Sequence, residues 1–236
     1  AMKNLLLSFS NFDYHFARFI CKLCKTDNQN LFLSAALTTQ ALRDGHVCCN
    51  LEEHARQQFQ TTVGPITLPD SSQLIEEIRS FPVIGAPGQY CPLILENSRL
   101  YLYRYWNYEQ KLAQSILSRT GQKNEIVYDE NAALIRSLSQ PSTDNETDWQ
   151  TASAIVSLLN PFTVICGGPG TGKTTTAAKV LLLLKMCLKK NLRIALAAPT
   201  CKAAARLSDS IQKVLASLDV SDELKKAIPS QTHTIH

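Results

Sequence analysis

The sequence lacks any run long and apolar enough to cross a bilayer as a helix. Its longest apolar stretch, Val180 to Leu188, is interrupted by Lys185, and Leu5-Leu6-Leu7 is too short for the core of a signal peptide. The expectation is a cytoplasmic protein without a membrane span. Charged residues are sparse at 19%, beside 44% hydrophobic, which is the balance of a soluble globular chain. No internal repeat or low-complexity tract stands out, and no nuclease-type cluster of carboxylates is visible. A second C-x-x-C is missing as well. The eight cysteines include one such pair, Cys21-x-x-Cys24, and the adjacent Cys48-Cys49, whereas a structural zinc site takes four ligands, usually as two spaced pairs. Cys166 and Cys187 fall in segments that read as buried, where cysteine acts as a small hydrophobe. Reduced thiols with no metal site are therefore expected.

Glycine is the scarce residue whose placement says most. Of nine in the chain, four lie in the eight residues Gly167-Gly168-Pro169-Gly170-Thr171-Gly172-Lys173-Thr174. This is G-x-x-x-x-G-K-[ST], a phosphate-binding loop. Glycine there lets the backbone take positive φ and turn its N–H groups onto a phosphate. Lys173 is placed to reach the β- and γ-phosphates, the Thr174 hydroxyl to ligate Mg²⁺, and Thr175 to continue the binding surface. Phe162 to Cys166 reads as a buried parallel strand before the loop. Thr174 to Lys190 reads as the helix after it, whose N-terminal dipole favours an anion. The motif in strand–loop–helix context predicts a bound nucleotide with Mg²⁺.

The modest net charge of +4 is unevenly spread. Residues 167–236 carry eleven basic and four acidic side chains, whereas 1–166 carry thirteen and sixteen. A basic lobe of +7 beside one of −3 points to a polyanionic partner for the first. Along the chain, helical spacing of Leu7, Phe9, Phe12, Phe16, Phe19, Ile20 and Leu23 predicts one buried face. Further helices are expected over 31–42, over 51–59 and from a Ser71 or Ser72 cap to about Ser80. Leu93 to Leu95 and Arg99 to Tyr105 flank Asn97-Ser98 as a β-hairpin. Its second arm places Tyr101, Tyr103 and Tyr105 on one face. Asn107 to Arg119 and Ile126 to Leu138 read as helices. The polar stretch 139–147 is the best linker, dividing a domain of 2–138 from one of 148–236. In the second, Trp149 leads a helix to about Leu158. Arg193 to Ala198 reads as a buried parallel strand that completes a right-handed βαβ unit, and an amphipathic helix runs from Lys202 to Leu218.

Three segments together carry a resemblance: Asp148-Trp149-Gln150-x-x-Ala, the loop through Thr176, and Ala-Pro-Thr-Cys-Lys-Ala-Ala-Ala-Arg-Leu over 198–207. They resemble the RecD family, the alpha subunits of exodeoxyribonuclease V (RecBCD), which are superfamily 1 DNA helicases. The resemblance implies an α/β fold: a mainly helical N-terminal domain with a small β-hairpin region, then the start of a RecA-like domain with a parallel sheet. It implies an ATP-dependent 5′→3′ helicase in recombinational DNA repair, with RecB- and RecC-like partner subunits. Gln150 corresponds to the family's adenine-reading glutamine. Pro199, Thr200 and Lys202 correspond to a motif that holds single-stranded DNA by its phosphates, with Cys201 in place of the usual glycine. Local readings stay open beside these: Gln150 as a helix cap, and Lys202 with Arg206 as a solvated helix face. Thr234-Ile235-His236 resembles the start of a further family motif. The second Mg²⁺ carboxylate, the transition-state arginine and a second motor lobe are expected beyond residue 236. The expectation is an N-terminal piece that binds nucleotide without turning it over. A nucleotide or small-molecule kinase is the alternative enzyme, and a non-catalytic docking module the alternative without chemistry.

Overall fold

The computed structural model describes residues 9–60, 64–122, 148–187, 192–218 and 220–235. The chain divides into two compact units, Ala1–Gln114 and Ser115–His236. The expected linker 139–147 and the helix expected over 126–138 lie outside the described residues.

The first unit is built on two packed helices, α1 (Asn11–Leu23) and α2 (Gln29–Arg43). Ser10 and Asp13 form a reciprocal capping box at the start of α1, each satisfying the other's backbone N–H. The buried face of α1 is Asp13, Ala17, Ile20 and Cys21, whereas Phe12, Phe19 and Leu23 are exposed. The expected aromatic face is thus rotated. Small Ala17 admits α2 closely, and Asp13 turns inward because Arg43 at the end of α2 holds it. Residues 31–39 of α2 are buried on every side, so this helix runs through the core. Thr38 and Thr39 satisfy their hydroxyls on carbonyls of the preceding turn, which lets them sit there.

Around this pair lies a four-stranded sheet in the order β1 (Cys49–Asn50), β6 (Arg99–Leu102), β5 (Leu93–Glu96), β4 (Ile84–Gly85). The β5–β6 hairpin forms as expected, with Leu93 opposite Leu102 and Asn97 taking a left-handed φ of 55° in the turn. Residues 51–59 are not a helix. They form a 3-10 turn at Leu51–His54 and then β2 (Gln58–Phe59), which pairs with β3 (Ile66–Thr67). Helix α3 (Ser71–Arg79) is capped by Asp70 rather than by Ser71 or Ser72.

The expected tyrosine face does not exist. Strand β6 ends at Leu102 and α4 (Tyr103–Thr120) begins at once, so Tyr103 and Tyr105 are helical. Tyr101 alone remains on the strand and is 2% exposed. Burial, then hydrogen bonding with Cys48 and the nearby Glu109, pushes its hydroxyl up to about 12. Both faces of β6 at Leu100 and Tyr101 are buried within the unit, as a strand apolar on both sides requires.

The second unit packs α5 (Trp149–Leu159) on α6 (Lys173–Cys187), and α6 on α7 (Cys201–Ser217). Leu183 and Cys187 meet Ala154 and Leu158 on one side of α6, and Ala178 and Leu182 meet Ile211 and Leu215 on another. That double contact explains an α6 sequence apolar on most faces. Strand β7 (Leu196–Ala198) is parallel to β8 (Thr232–Thr234), with α7 and the short α8 (Asp222–Lys226) between them.

Several expectations fail here. Residues 162–166 are not a strand: none of the described strands pairs with them, and β7 finds its ladder in β8 instead. The handedness expected for that βαβ unit lapses with it. Their exposure alternates, with Val164 67% exposed and Ile165 half-buried beside a cleft of about 340 Å³ over α6. Cys166 is correspondingly exposed rather than buried, and β7 is shorter and less buried than expected. Cys187 is buried as expected, and all eight thiols are free.

Candidate functional site

The phosphate loop is shaped by its glycines. Gly170 and Gly172 take φ of 80° and 79°, a region L-residues rarely enter. Gly167 is needed for a second reason: a Cβ there would lie 2.6 Å from Thr171 Oγ1. Thr171 donates its hydroxyl to the Gly168 carbonyl at 3.0 Å, closing the turn on itself. Helix α6 starts at Lys173, and Gly172 supplies the first carbonyl, accepting from Thr176 N at 2.9 Å. The Lys173 side chain curls back across the loop and donates Nζ to the carbonyls of Gly167 and Gly168, the first at 2.7 Å. An ammonium held over a nest of glycine backbone, at a helix N-terminus, matches the chemistry of a triphosphate tail. Thr174 and Thr175 follow on the first turn, half-buried.

Gln150 comes to the same place. It is the second residue of α5, and its backbone N–H is taken by the Asp148 cap at 3.0 Å. Its side chain does not cap the helix. The amide rests on Gly172, so near that a Cβ added to the glycine would collide with the amide nitrogen. Glycine is favoured at 172 by its φ, and a side chain there would displace the Gln150 amide from the loop. Trp149 beside it is 75% exposed.

Pro199, Thr200 and Lys202 form a separate feature at the turn from β7 into α7. Thr200 is the N-cap, its hydroxyl accepting from Ala203 N at 3.2 Å. Lys202, Cys201 and Arg206 are exposed. An exposed helix N-terminus flanked by a lysine suits a phosphate oxygen without selecting a base.

Two residues behind the site, neither on the loop, escaped the sequence reading. Asp148 organises the first turn of α5, and its signal was present: an Asp before a helical run, two residues ahead of Gln150. Lys179, a buried lysine that pairs with Asp148 at 3.9 Å, gave none, because it sits within an apolar helix face. Among the described residues no three His, Cys, Asp or Glu side chains gather to hold a metal, and no helix is long and apolar enough to cross a membrane.

Comparison with known proteins gives two family matches. Residues 7–101 match the family described as RecBCD enzyme subunit RecD, N-terminal domain, and residues 150–236 match an AAA domain. The chain is 32% identical over 251 residues to the RecBCD enzyme subunit RecD of Haemophilus influenzae, covering 95% of this chain and 39% of that protein. It is 33% identical over 220 residues to the subunit of the same name from Mycobacterium tuberculosis H37Rv, covering 90% of this chain and 36% of the relative. The subunit from Mycolicibacterium smegmatis is 34% identical over 212 residues, covering 88% and 36%. The chain thus spans under two-fifths of the length of these relatives.

Proposed function

The chain belongs to the RecD family, and on that premise we propose that it is part of an ATP-dependent 5′→3′ DNA helicase subunit of a RecBCD-type repair complex. The observation that carries the reading is the seating of Gln150 against Gly172. The amide proposed to read the base thus lies beside the loop proposed to hold the phosphates, an arrangement that supports recognition of an adenine nucleotide. In this reading the Gln150 amide pairs with the adenine edge, the loop 167–172 cradles the phosphates, and Lys173 exchanges its glycine carbonyls for phosphate oxygens. Thr174, with Thr175 beside it, would hold Mg²⁺, which when bound neutralises charge on the phosphoryl oxygens.

The proposed domain division gives residues 148–236 to the motor and 2–138 to docking on RecB- and RecC-like subunits in the cytoplasm. Single-stranded DNA is the proposed polyanion for the basic second lobe, gripped by its backbone at Pro199, Thr200 and Lys202. Binding is the direct test. Titrating this chain with Mg²⁺-ATP by calorimetry should give saturable binding, lost in Lys173→Ala. Binding that survives Lys173→Ala unchanged would overturn the reading.

A further inference from the structure

A half-buried charge pair joins the cap of α5 to the middle of α6. Lys179 lies on α6 and is only 3% exposed, yet its Nζ has no hydrogen-bond partner among the described residues. Its counter-charge among the described residues is Asp148 Oδ2 at 3.9 Å. Asp148 is at the same time the cap of α5: Oδ1 accepts from the backbone N–H groups of Gln150 and Thr151, and Oδ2 accepts the Thr151 hydroxyl at 2.6 Å. Gln150 in turn rests on Gly172.

Packing alone does not account for a lysine there. An ammonium withdrawn from water without hydrogen bonds is a costly filling, and an apolar chain of equal length would pack against α5 without that cost. What the lysine adds is a fixed attraction for one carboxylate. That carboxylate decides where the backbone of Gln150 sits. Lys179 stands six residues after Lys173 on α6, a rise of about 9 Å along a single rigid helix. The sequence of contacts therefore returns to its own start: from the helix that begins with the phosphate lysine, through Asp148, to the amide lying on the loop.

Resting on the reading of Gln150 as the residue that faces adenine, we infer that Lys179 is a positioning residue for it. Through Asp148 it holds the first turn of α5 in register with the phosphate loop, and so sets the preference for adenine over other bases. It touches no part of the nucleotide itself. The consequence is a split between two readouts. Loss of the pair disturbs base selection, while the phosphate cradle, built from 167–173, is left as it is.

The test measures affinities of this chain for Mg²⁺-ATP, Mg²⁺-GTP and Mg²⁺-tripolyphosphate. Lys179→Met keeps the length and removes the charge. Asp148→Asn keeps a good capping side chain and removes the other charge. Each should lower the ATP-to-GTP preference about tenfold, the scale of one bidentate amide–base contact, with tripolyphosphate affinity unchanged. Lys179→Arg should keep the preference. Gln150→Ala separates the two levels of the argument. If Gln150→Ala lowers the preference while Lys179→Met and Asp148→Asn leave it at the parent value, the positioning role is overturned and the adenine reading stands. If Gln150→Ala itself changes nothing, both fall. Should Lys179→Met not fold, Asp148→Asn decides alone.

Discussion

Arg43, on the last turn of α2, donates Nη2 to Asp13 Oδ2 at 2.8 Å and Nε to Oδ1 at 3.3 Å, tying the end of one helix to the start of another. Burial by itself raises the Asp13 carboxyl. The hydrogen bonds from Ser10, Arg43 and Thr39 outweigh it and hold the group below the usual aspartate range. A depressed carboxylate stabilises the fold above its unfolded value, near pH 4, and that share is lost as pH falls through the folded value. Asp70, the cap of α3, is depressed by its bond from Gln73 N and acts in the same direction. Asp13→Asn should cost about 1–2 kcal/mol at pH 7, discounted because Arg43 is partly exposed. Urea unfolding at pH 7 and pH 3 checks the sign: the gap between parent and variant should narrow at pH 3, and an equal gap at both would contradict the assignment.

Gly172 and Gly168 should respond very differently to a methyl group. At 172 the φ of 79° opposes alanine and its Cβ would displace the Gln150 amide, whereas at 168 a Cβ meets only Thr171 Cγ2 at 3.8 Å. Gly172→Ala should therefore weaken Mg²⁺-ATP binding at least about tenfold and lower stability by about 1–2 kcal/mol. Gly168→Ala should change stability by less than about 0.5 kcal/mol. Thermal melts and nucleotide titrations of the two variants, side by side, make the comparison.

Binding to single-stranded DNA should be weak, indifferent to base sequence and strongly salt-dependent, since the proposed contacts are to phosphates. Lys202→Ala should reduce the slope of log affinity against log salt by about 0.7, the share of one single-strand phosphate contact. Fluorescence anisotropy with a labelled oligonucleotide at several salt concentrations gives that slope. An unchanged slope would remove Lys202 from the contact.

Charge placed on the aromatic stretch should sort by burial. Tyr101 is core, so Tyr101→Glu should prevent folding of the first unit by burying an unpaired carboxylate. Tyr105 and Tyr108 are 37% and 51% exposed on α4, and glutamate at either should leave circular dichroism and melting almost unchanged. A well-folded Tyr101→Glu protein would contradict the strand assignment.

The parts of the structure that were legible in the sequence are those fixed by local chemistry. The loop 167–174 was legible because glycine spacing and a following helix specify it within a few residues. The hairpin at Asn97-Ser98 was legible because asparagine tolerates the left-handed turn. What escaped depends on contacts distant in sequence. Alternation carried the tyrosine pattern three residues too far, because nothing in Tyr103-Arg104-Tyr105 itself marks the switch from strand to helix. The α1 face was misjudged because the Arg43 that draws Asp13 inward lies 30 residues away. Residues 162–166 have strand composition, but composition supplies side chains and not a neighbour, and a ladder needs one.

That bare segment has a consequence of its own. It enters the phosphate loop with its amide and carbonyl groups unpaired by any described strand, so the footing of the loop is open to whatever chain lies alongside it. A strand that paired there would stiffen Gly167 and the turn behind it, and nucleotide affinity would rise with that stiffening. Linkage makes the effect mutual: bound nucleotide must strengthen the strand pairing by the same factor. The seating of a triphosphate and the completion of a sheet are then two equilibria joined by one coupling factor. Hydrogen exchange at Val164 and Ile165 can follow it from the side remote from the phosphates.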